Sequence, residues 1–517
     1  MNPPREGLSA MNPLREGLSA ERVPESHVMV IFGASGDLTQ RKLLPALYTL
    51  YREGMLPARF AVVGVARQRM GVDAFREQMR KGCDTHSRLR PVQDGPWEAF
   101  ARNLFYHPAE FDDPQAFATL KDELEEIERE LGIPSNRLYY LSTPPSTFPT
   151  IIQQLGQAGL VSRVTEPWNR IIVEKPFGTD LESAQLLNRQ MKEVFREAQI
   201  YRIDHYLGKE TVQNMLAFRF GNGLFEPIWN QYQIHHVQIT SAESLGMEGR
   251  GAYFEEAGIL RDMVQNHLFQ ILCLTGMEPP VSMDANAIRD EKVKFLKSLR
   301  PIAVERMRDY VVRAQYLEGH VLGEKVPGFR QEPGVHPAST TETYVALRLQ
   351  VDNWRWGNVP FFLRAAKRMP KKVTDISIKF RNPPHALFRD QHMGDAVSNV
   401  LTIRIQPDEG ISLHFGAKTP GAAMQLAPVN MEFRYGTSFG SEPPEAYERL
   451  ILDAMLGEAT LFIRDDETEA SWAFISEIHK AWAAEGTAEL PKYQAGTWGP
   501  AEADTLLESR DAQWRKP

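Results

Sequence analysis

Cysteine is almost missing from this chain: Cys83 and Cys273 are the only two in 517 residues. That excludes a disulfide framework and fits a reducing cytoplasm. Long apolar runs are missing too. No stretch approaches the roughly 18 residues of a membrane span, and the N-terminus lacks the apolar core of a secretory signal. There is no excess of basic charge: 59 Lys and Arg stand against 67 Asp and Glu, a formal net charge of −8. A general affinity for nucleic acid is unfavoured on that ground, so any anionic ligand must be held by a local basic pocket. No group of His, Cys, Asp or Glu has the spacing of a metal site. The adjacent His235 and His236 are expected on a strand, where neighbouring side chains point to opposite faces.

What is present reads as an ordinary globular chain. Hydrophobic residues make up 42% and charged residues 24%, enough to bury a sizeable core. The first twenty residues are a decapeptide written twice, Met1–Ala10 and Met11–Ala20, differing only at Pro4 and Leu14. A ten-residue period repeated twice is too short for a solenoid, so residues 1–27 are expected to be a disordered tail. Structure is expected from Val28. The apolar run Val28–Phe32 has the pattern of a buried parallel strand. It leads into Gly33-Ala34-Ser35-Gly36-Asp37-Leu38-Thr39, after which Leu43, Leu47 and Leu50 recur at helical spacing. Strand, glycine turn and helix open a dinucleotide-binding unit: the glycines admit a pyrophosphate, and the helix start supplies N–H donors. The turn has Gly-x-x-Gly and not the full Gly-x-Gly-x-x-Gly, so alone it is a weak signal. The next strand, Phe60–Ala66, ends on Arg67, with Arg69 close behind. An acidic residue there binds a ribose 2′-hydroxyl; a basic one suits the 2′-phosphate of NADP. Residues 73–130 read as helices. Strands follow at Arg137–Ser142 and Asn169–Val173, the second delivering Glu174-Lys175-Pro176 to the ligand end of the sheet.

After residue 202 the pattern changes. Alternating strands appear at 235–243, 343–351, 374–380, 399–406 and 410–415 without a helix after each. The expectation is an α/β, Rossmann-like NADP-binding domain over 28–202, followed by a larger α+β domain over 203–517 with a mainly antiparallel sheet. A late amphipathic helix is expected over 447–456, and the last 25 residues read as polar and irregular.

Two clusters carry chemistry. Arg202-Ile203-Asp204-His205-Tyr206-Leu207-Gly208-Lys209-Glu210 packs an acid, an imidazole, a phenol and an ammonium against a glycine. His205, if protonated, Tyr206 and Lys209 can all donate to a phosphate, with a helix start behind them. The plain alternative is an exposed loop-to-helix junction. The second cluster is Arg261-Asp262-Met263-Val264-Gln265-Asn266-His267. Apolar positions 260, 263, 264, 268, 271 and 272 mark a helix with one buried face, and His267 lies at its edge. A histidine there is more often a satisfied core residue than a catalyst; its polar neighbours and the carboxylate of Asp204 elsewhere weigh the other way. Glu243 ends a strand, and the basic run around Lys367, Arg368, Lys371 and Lys372 has a solvated loop as its plain reading.

Gly-Ala-Ser-Gly-Asp-Leu at 33–38, Glu-Lys-Pro-Phe-Gly at 174–178, the nine residues at 202–210, Arg-Asp-Met-Val-Gln-Asn-His at 261–267 and Ala-Tyr-Glu-Arg-Leu-Ile-Leu-Asp at 446–453 together resemble glucose-6-phosphate dehydrogenase of the bacterial type. The resemblance implies oxidation of D-glucose 6-phosphate at C1 to 6-phospho-D-glucono-1,5-lactone with NADP, the first step of the oxidative pentose phosphate pathway. It implies His267 as general base and Asp204 as its orienting partner. By the same resemblance, His205, Tyr206, Lys209 and Lys367 hold the sugar phosphate. Glu243 and Asp262 bind sugar hydroxyls, and Lys372 is a substrate contact ahead of Lys371. Lys175 touches substrate and cofactor, while Gly33, Ala34, Ser35, Gly36, Asp37, Leu38, Lys42 and Arg67 carry NADP. A homodimer or homotetramer through the large sheet is implied, in the cytoplasm. Val373 replaces a basic residue of the animal enzymes, so their second, structural NADP is not expected. Two rivals stand against this reading: an NADP-dependent oxidoreductase of an unphosphorylated sugar, which has no need of His205 and Lys209 together, and a non-catalytic NADPH-binding homologue, in which Asp204 or His267 would be lost.

Overall fold

The computed structural model describes residues 23–383, 398–421, 424–439, 444–486, 489–508 and 512–517. The expected tail lies outside the described residues as far as residue 22. The chain forms two compact units. The first runs to Lys209 and takes in two returning segments, Ser282–Arg289 and Pro443–Glu469; the second holds Glu210–Val281, Asp290–Glu442 and Ala470–Pro517. A contiguous second domain from 203 was expected. Residues 443–469 instead return because their apolar side chains complete the core of the first unit: the helix Ala446–Leu456 packs on the helix Leu44–Arg52. That helix was expected to be amphipathic, but Leu450 to Met455 are all buried.

In the first unit a seven-stranded sheet is built from β1 (His27–Phe32), β2 (Phe60–Ala66), β3 (Leu104–Pro108), β4 (Arg137–Leu141), β5 (Asn169–Val173), β6 (Ile200–Ile203) and β17 (Phe462–Ile463), in the order β17-β6-β5-β4-β1-β2-β3. Every pair is parallel except β17 on β6. All residues of β1, β2 and β4 are buried, which is why Val28–Phe32 and Phe60–Ala66 read as unbroken apolar runs; Arg137, which opens β4, is buried in an ion pair with Glu128. The order 3-2-1-4-5-6 is that of a dinucleotide-binding fold, with its crevice beyond the ends of β1 and β4. β3 lies inside the stretch read as helical. Leu104-Phe105-Tyr106-His107-Pro108 is too short, and too closely flanked by helices, to declare a period of two.

The second unit carries β7 (Ile234–Ala242), β8 (Val311–Leu317), a small hairpin of β9 (Gly319–Val321) and β10 (Glu324–Val326), β11 (Tyr344–Leu349), β12 (Phe361–Ala366), β13 (Val373–Phe380), β14 (Val400–Gln406), β15 (Gly410–Lys418), β16 (Leu426–Arg434) and β18 (Lys492–Gln494). Nine of them form one sheet, β16-β15-β14-β13-β7-β12-β11-β8-β18. It is antiparallel except where β12 runs parallel to β7 and β18 to β8. β8, β12 and β16 were not read from the pattern. His235 and His236 do not point apart: their Nδ1 atoms lie 2.8 Å from one another. The register with β13 passes from Lys379↔His236 to Phe380↔Ile234, leaving His235 as a bulge residue, and a bulge breaks strand alternation. The C-terminal stretch is also more tightly held than its polarity implied. Gln238 Nε2 donates to the Gln513 carbonyl at 2.8 Å, Arg515 N–H donates to Gln238 Oε1 at 2.8 Å, and Trp514 is buried.

Candidate active site

In the first unit the glycine turn follows β1 directly. Gly33 has φ +87, and a Cβ there would lie 2.8 Å from the Ser142 carbonyl carbon at the end of β4. Only glycine fits where two strand ends approach so closely. The Gly33 N–H donates to the Val65 carbonyl at 2.8 Å, and the Gly36 N–H to the Gly33 carbonyl at 2.9 Å. Thr39 Oγ1 lies 3.2 Å from both the Gly33 carbonyl and Ser142 Oγ, tying the helix start to both strands. Arg67 is exposed immediately beyond β2. Lys42 Nζ is paired with Glu445 at 2.8 Å.

β5 delivers Glu174 and Lys175. Glu174 Oε1 accepts the Tyr140 hydroxyl at 2.6 Å and the Tyr447 hydroxyl at 3.1 Å. Burial pushes the Glu174 carboxyl up, and the two hydroxyls and the neighbouring Lys175 ammonium draw it back. Lys175 itself is half-buried. Beyond β6 the segment 204–209 is a tight turn. Asp204 is 1% exposed; its Oδ1 accepts the Tyr206 N–H at 2.9 Å, and its carbonyl the Leu207 N–H at 3.0 Å. Lys209 Nζ sits 5.0 Å from the centre of the Tyr206 ring. The His205 ring lies near-parallel to Tyr447, centroids 6.4 Å apart. His205 and Lys209 remain half-buried. The glycine of this turn is there for proximity. A Cβ on Gly208 would lie 2.8 Å from the Ala446 carbonyl oxygen.

In the second unit the parallel pairing of β7 and β12 sets Ala242 opposite Ala366. Parallel strands end on the same side, so Glu243 and Lys367, each the next residue, emerge together. Their side chains form an ion pair, and the Glu243 N–H donates to the Ala366 carbonyl at 2.9 Å. Lys367 is 5% exposed, with Nζ 5.5 Å from the Phe254 ring centre. Packed on β7 and β12 is the segment Leu260–Leu268, which is a π-helix running into the α-helix Phe269–Gly276. An α-helix turns about 100° per residue and would set Asp262 and His267 roughly 140° apart. The wider i→i+5 spiral brings residues five apart towards one face. The expectation of one buried face does not hold, since every residue from Met263 to Met277 is buried. His267 is 1% exposed and Asp262 half-buried. Asn266 Oδ1 accepts the His267 N–H at 2.6 Å, and Gln265 Nε2 donates to Ser471 Oγ at 2.9 Å. Lys371 and Lys372 are both exposed. Arg368 is not the solvated loop residue it resembled: it has φ +52 and pairs with Glu332 at 3.0 Å.

Residues 30–214 match the family model described as "Glucose-6-phosphate dehydrogenase, NAD binding domain", and residues 216–515 match the one described as "Glucose-6-phosphate dehydrogenase, C-terminal domain". The chain belongs to the glucose-6-phosphate dehydrogenase family. A glucose-6-phosphate 1-dehydrogenase of Aggregatibacter actinomycetemcomitans is 48% identical over 493 residues, covering 95% of this chain and 98% of that protein. One from Bacillus subtilis is 43% identical, at 94% and 98% coverage. A solved glucose-6-phosphate dehydrogenase in complex with its substrate glucose-6-phosphate superposes with a TM-score of 0.87 at 37% identity, covering 96% of this chain and 99% of that one. The glycine turn of the first unit fits the dinucleotide such a family uses: Gly33 and Gly36 let the chain turn tightly against the end of β4, where a Cβ on either would crowd backbone, and Arg67 stands exposed beyond β2. Among the described residues no helix is long and apolar enough to cross a membrane.

Sequence reasoning missed Tyr140 as a partner of Glu174, and it saw Tyr447 only as part of a helix. The available signal was only that Tyr447 lies in the segment Ala-Tyr-Glu-Arg-Leu-Ile-Leu-Asp at 446–453, which carries the resemblance; its partner Glu174 is far away in sequence.

Proposed function

We propose that this chain oxidises D-glucose 6-phosphate at C1 to 6-phospho-D-glucono-1,5-lactone, with NADP accepting the hydride when bound. His267, as neutral imidazole, removes the proton of the anomeric hydroxyl. Imidazole suits the step as a side-chain type, since its free value of about 6.5 lies near working pH, where a general base is most effective. Asp204 stabilises the imidazolium as it forms. His205, Tyr206 and Lys209 hold the phosphate from one turn, with Lys367. Glu243 and Asp262 bind sugar hydroxyls, Lys372 adds a substrate contact, and Lys175 serves both ligands. Gly33 to Leu38, Lys42 and Arg67 hold the dinucleotide. The phosphate grip acts away from C1, so its binding energy orients the reacting carbon.

The observation that carries the reading is the turn 204–209. Within one unit it buries Asp204 while keeping His205 and Lys209 partly open. A non-catalytic homologue has no use for that carboxylate, and a dehydrogenase of a neutral sugar has no use for the cations. We further infer a cytoplasmic homodimer or homotetramer through the large sheet. Support comes from the edge strand β16, where Val429 and Met431 are exposed, and from Cys83 and Cys273, both buried and neither in a disulfide.

The test is a spectrophotometric assay of glucose 6-phosphate, glucose and several polyols with NADP and with NAD at matched concentrations, on the parent and on His267→Asn. We expect glucose 6-phosphate alone to be oxidised, with kcat in the variant down by at least about a hundredfold and KM little changed. Unaltered turnover in the variant would remove the base; oxidation of free glucose at a similar rate would remove the phosphate grip.

A further inference from the structure

The helix that carries Asp262 and His267 starts inside protein. Gly258 interrupts the preceding helix at φ +66 and ψ 165, so Leu260–Leu268 begins afresh. Ile259 and Leu260 are fully buried, and the first N–H groups of a helix have no partner within it. Both are met by one residue from another segment. The Glu342 carbonyl accepts the Ile259 N–H at 3.1 Å, and its carboxylate accepts the Leu260 N–H at 3.1 Å. Glu342 is 5% exposed. Its carboxylate fills the space over Gly258, where a Cβ would lie 2.9 Å from the carboxyl carbon. Burial pushes this carboxyl up; the Leu260 N–H and the charges of Arg261 and Arg313 draw it back.

Its neighbours extend the tie. Thr341 Oγ1 donates to the Glu255 carbonyl at 2.8 Å, on the turn before the break. The Thr343 carbonyl accepts the Lys367 N–H at 3.0 Å, directly after β12. Residues 341–343 therefore link the start of one candidate-site element to the end of another. Nothing in glucose 6-phosphate chemistry calls for a glutamate here, and no sequence motif marks it.

We propose that Glu342 is a positioning residue that fixes the register of the Asp262–His267 helix against the Glu243–Lys367 pair. It acts through the Leu260 N–H. The inference rests on the reading of His267 as base and of Asp262 and Glu243 as sugar contacts. Glu342→Gln keeps an acceptor oxygen in place, Glu342→Asp withdraws it by one methylene, and Glu342→Ala removes it. With the enzyme assayed as above, the Asp and Ala variants lose about tenfold in kcat or more with glucose 6-phosphate, since a helix displaced by a fraction of an ångström misaligns base and sugar. KM for NADP stays within about twofold, and the Gln variant stays within about threefold of the parent in kcat, each less than the tenfold that 1.36 kcal/mol brings.

Melting curves on every variant separate folding from function. A lowered Tm with kcat and KM unchanged means a purely structural role and overturns the proposal. So does a Gln variant as impaired as the Asp variant, because acceptance at one N–H would then not be what matters. Should the Ala variant fail to fold, the Asp variant decides by the same criteria. His267→Asn run alongside tells the two readings apart. If it keeps full turnover, the base reading fails and this inference with it; if it loses turnover while Glu342→Asp does not, only this inference falls.

Discussion

Gly208→Ala tests whether the turn at 204–209 depends on contact with the helix that starts at Ala446. Gly208 is not among the positive-φ glycines, so alanine meets no backbone penalty there. The obstacle is steric. The new Cβ would lie 2.8 Å from the Ala446 carbonyl oxygen, 2.9 Å from its Cβ and 3.0 Å from its Cα. None of these atoms can rotate away. Ordinary carbon contacts are about 3.5–4.0 Å, so turn and helix must part by roughly 0.5–1 Å. Overpacking of this kind costs about 1–3 kcal/mol, and the stiffer unfolded chain returns about 0.4–1 kcal/mol. A net loss of about 1–2 kcal/mol corresponds to roughly 2–8 °C in Tm for a unit of this size. The functional consequence is larger in kind. Tyr447 follows Ala446 and bonds Glu174, while His205 and Lys209 flank Gly208, so the displacement loosens the proposed phosphate grip. Losing part of one charge-assisted contact raises KM for glucose 6-phosphate about tenfold, with kcat less affected. Calorimetry and initial-rate kinetics on purified protein read both effects. A variant with the parent's Tm and KM would refute the steric reasoning.

The first unit was legible because a buried parallel sheet writes itself as apolar runs. Val28–Phe32 and Phe60–Ala66 could hardly be anything else, and the glycine turn between them follows from the need for close approach. β3 escaped because five residues at a sheet edge carry too little pattern. β17 escaped because two residues carry none; it joins the first sheet only because the chain returns at 443–469. That return is a long-range packing fact, invisible to periodicity.

In the second unit the sequence held the right residues without their geometry. Glu243 and Lys367 meet because β7 and β12 run parallel, and a local pattern cannot distinguish parallel from antiparallel neighbours. Asp262 and His267 lie five apart, a spacing that an α-helix wastes and a π-helix uses. No residue announces a π-helix, and the break at Gly258 and the Glu342 carboxylate that meets the Leu260 N–H at its start are 84 residues apart in sequence. Chemistry-bearing side chains were recognisable by type, whereas Tyr140 and Tyr447, whose hydroxyls meet the Glu174 carboxylate, and Glu342, whose carboxylate meets the Leu260 N–H, carried no mark of those partners in the sequence.

Two further outcomes follow from side chains in the first unit. Arg67→Ala should raise KM for NADP about tenfold through loss of a charge-assisted contact to the 2′-phosphate, leaving the kinetics with NAD unchanged; equal effects on both cofactors would contradict that role. Glu448 offers a test in pH. It is 2% exposed beside Arg88, and burial raises its carboxyl to about 7 against the pull of that guanidinium. In the unfolded chain the group titrates near 4.3. Between the two values the native state holds a proton that the unfolded state has released. Its contribution to stability is therefore complete below about pH 4.3 and is lost as pH rises through about 7, by at most about 4 kcal/mol. Glu448→Gln cannot titrate, and Arg88 retains Glu53 at 3.0 Å. Urea midpoints measured from pH 5 to pH 8 should fall more steeply for the parent than for the variant, with the variant gaining most at pH 8. Parallel slopes would show that the carboxyl is already ionised in the native protein at pH 5 and that the Arg88 pair, not burial, governs it.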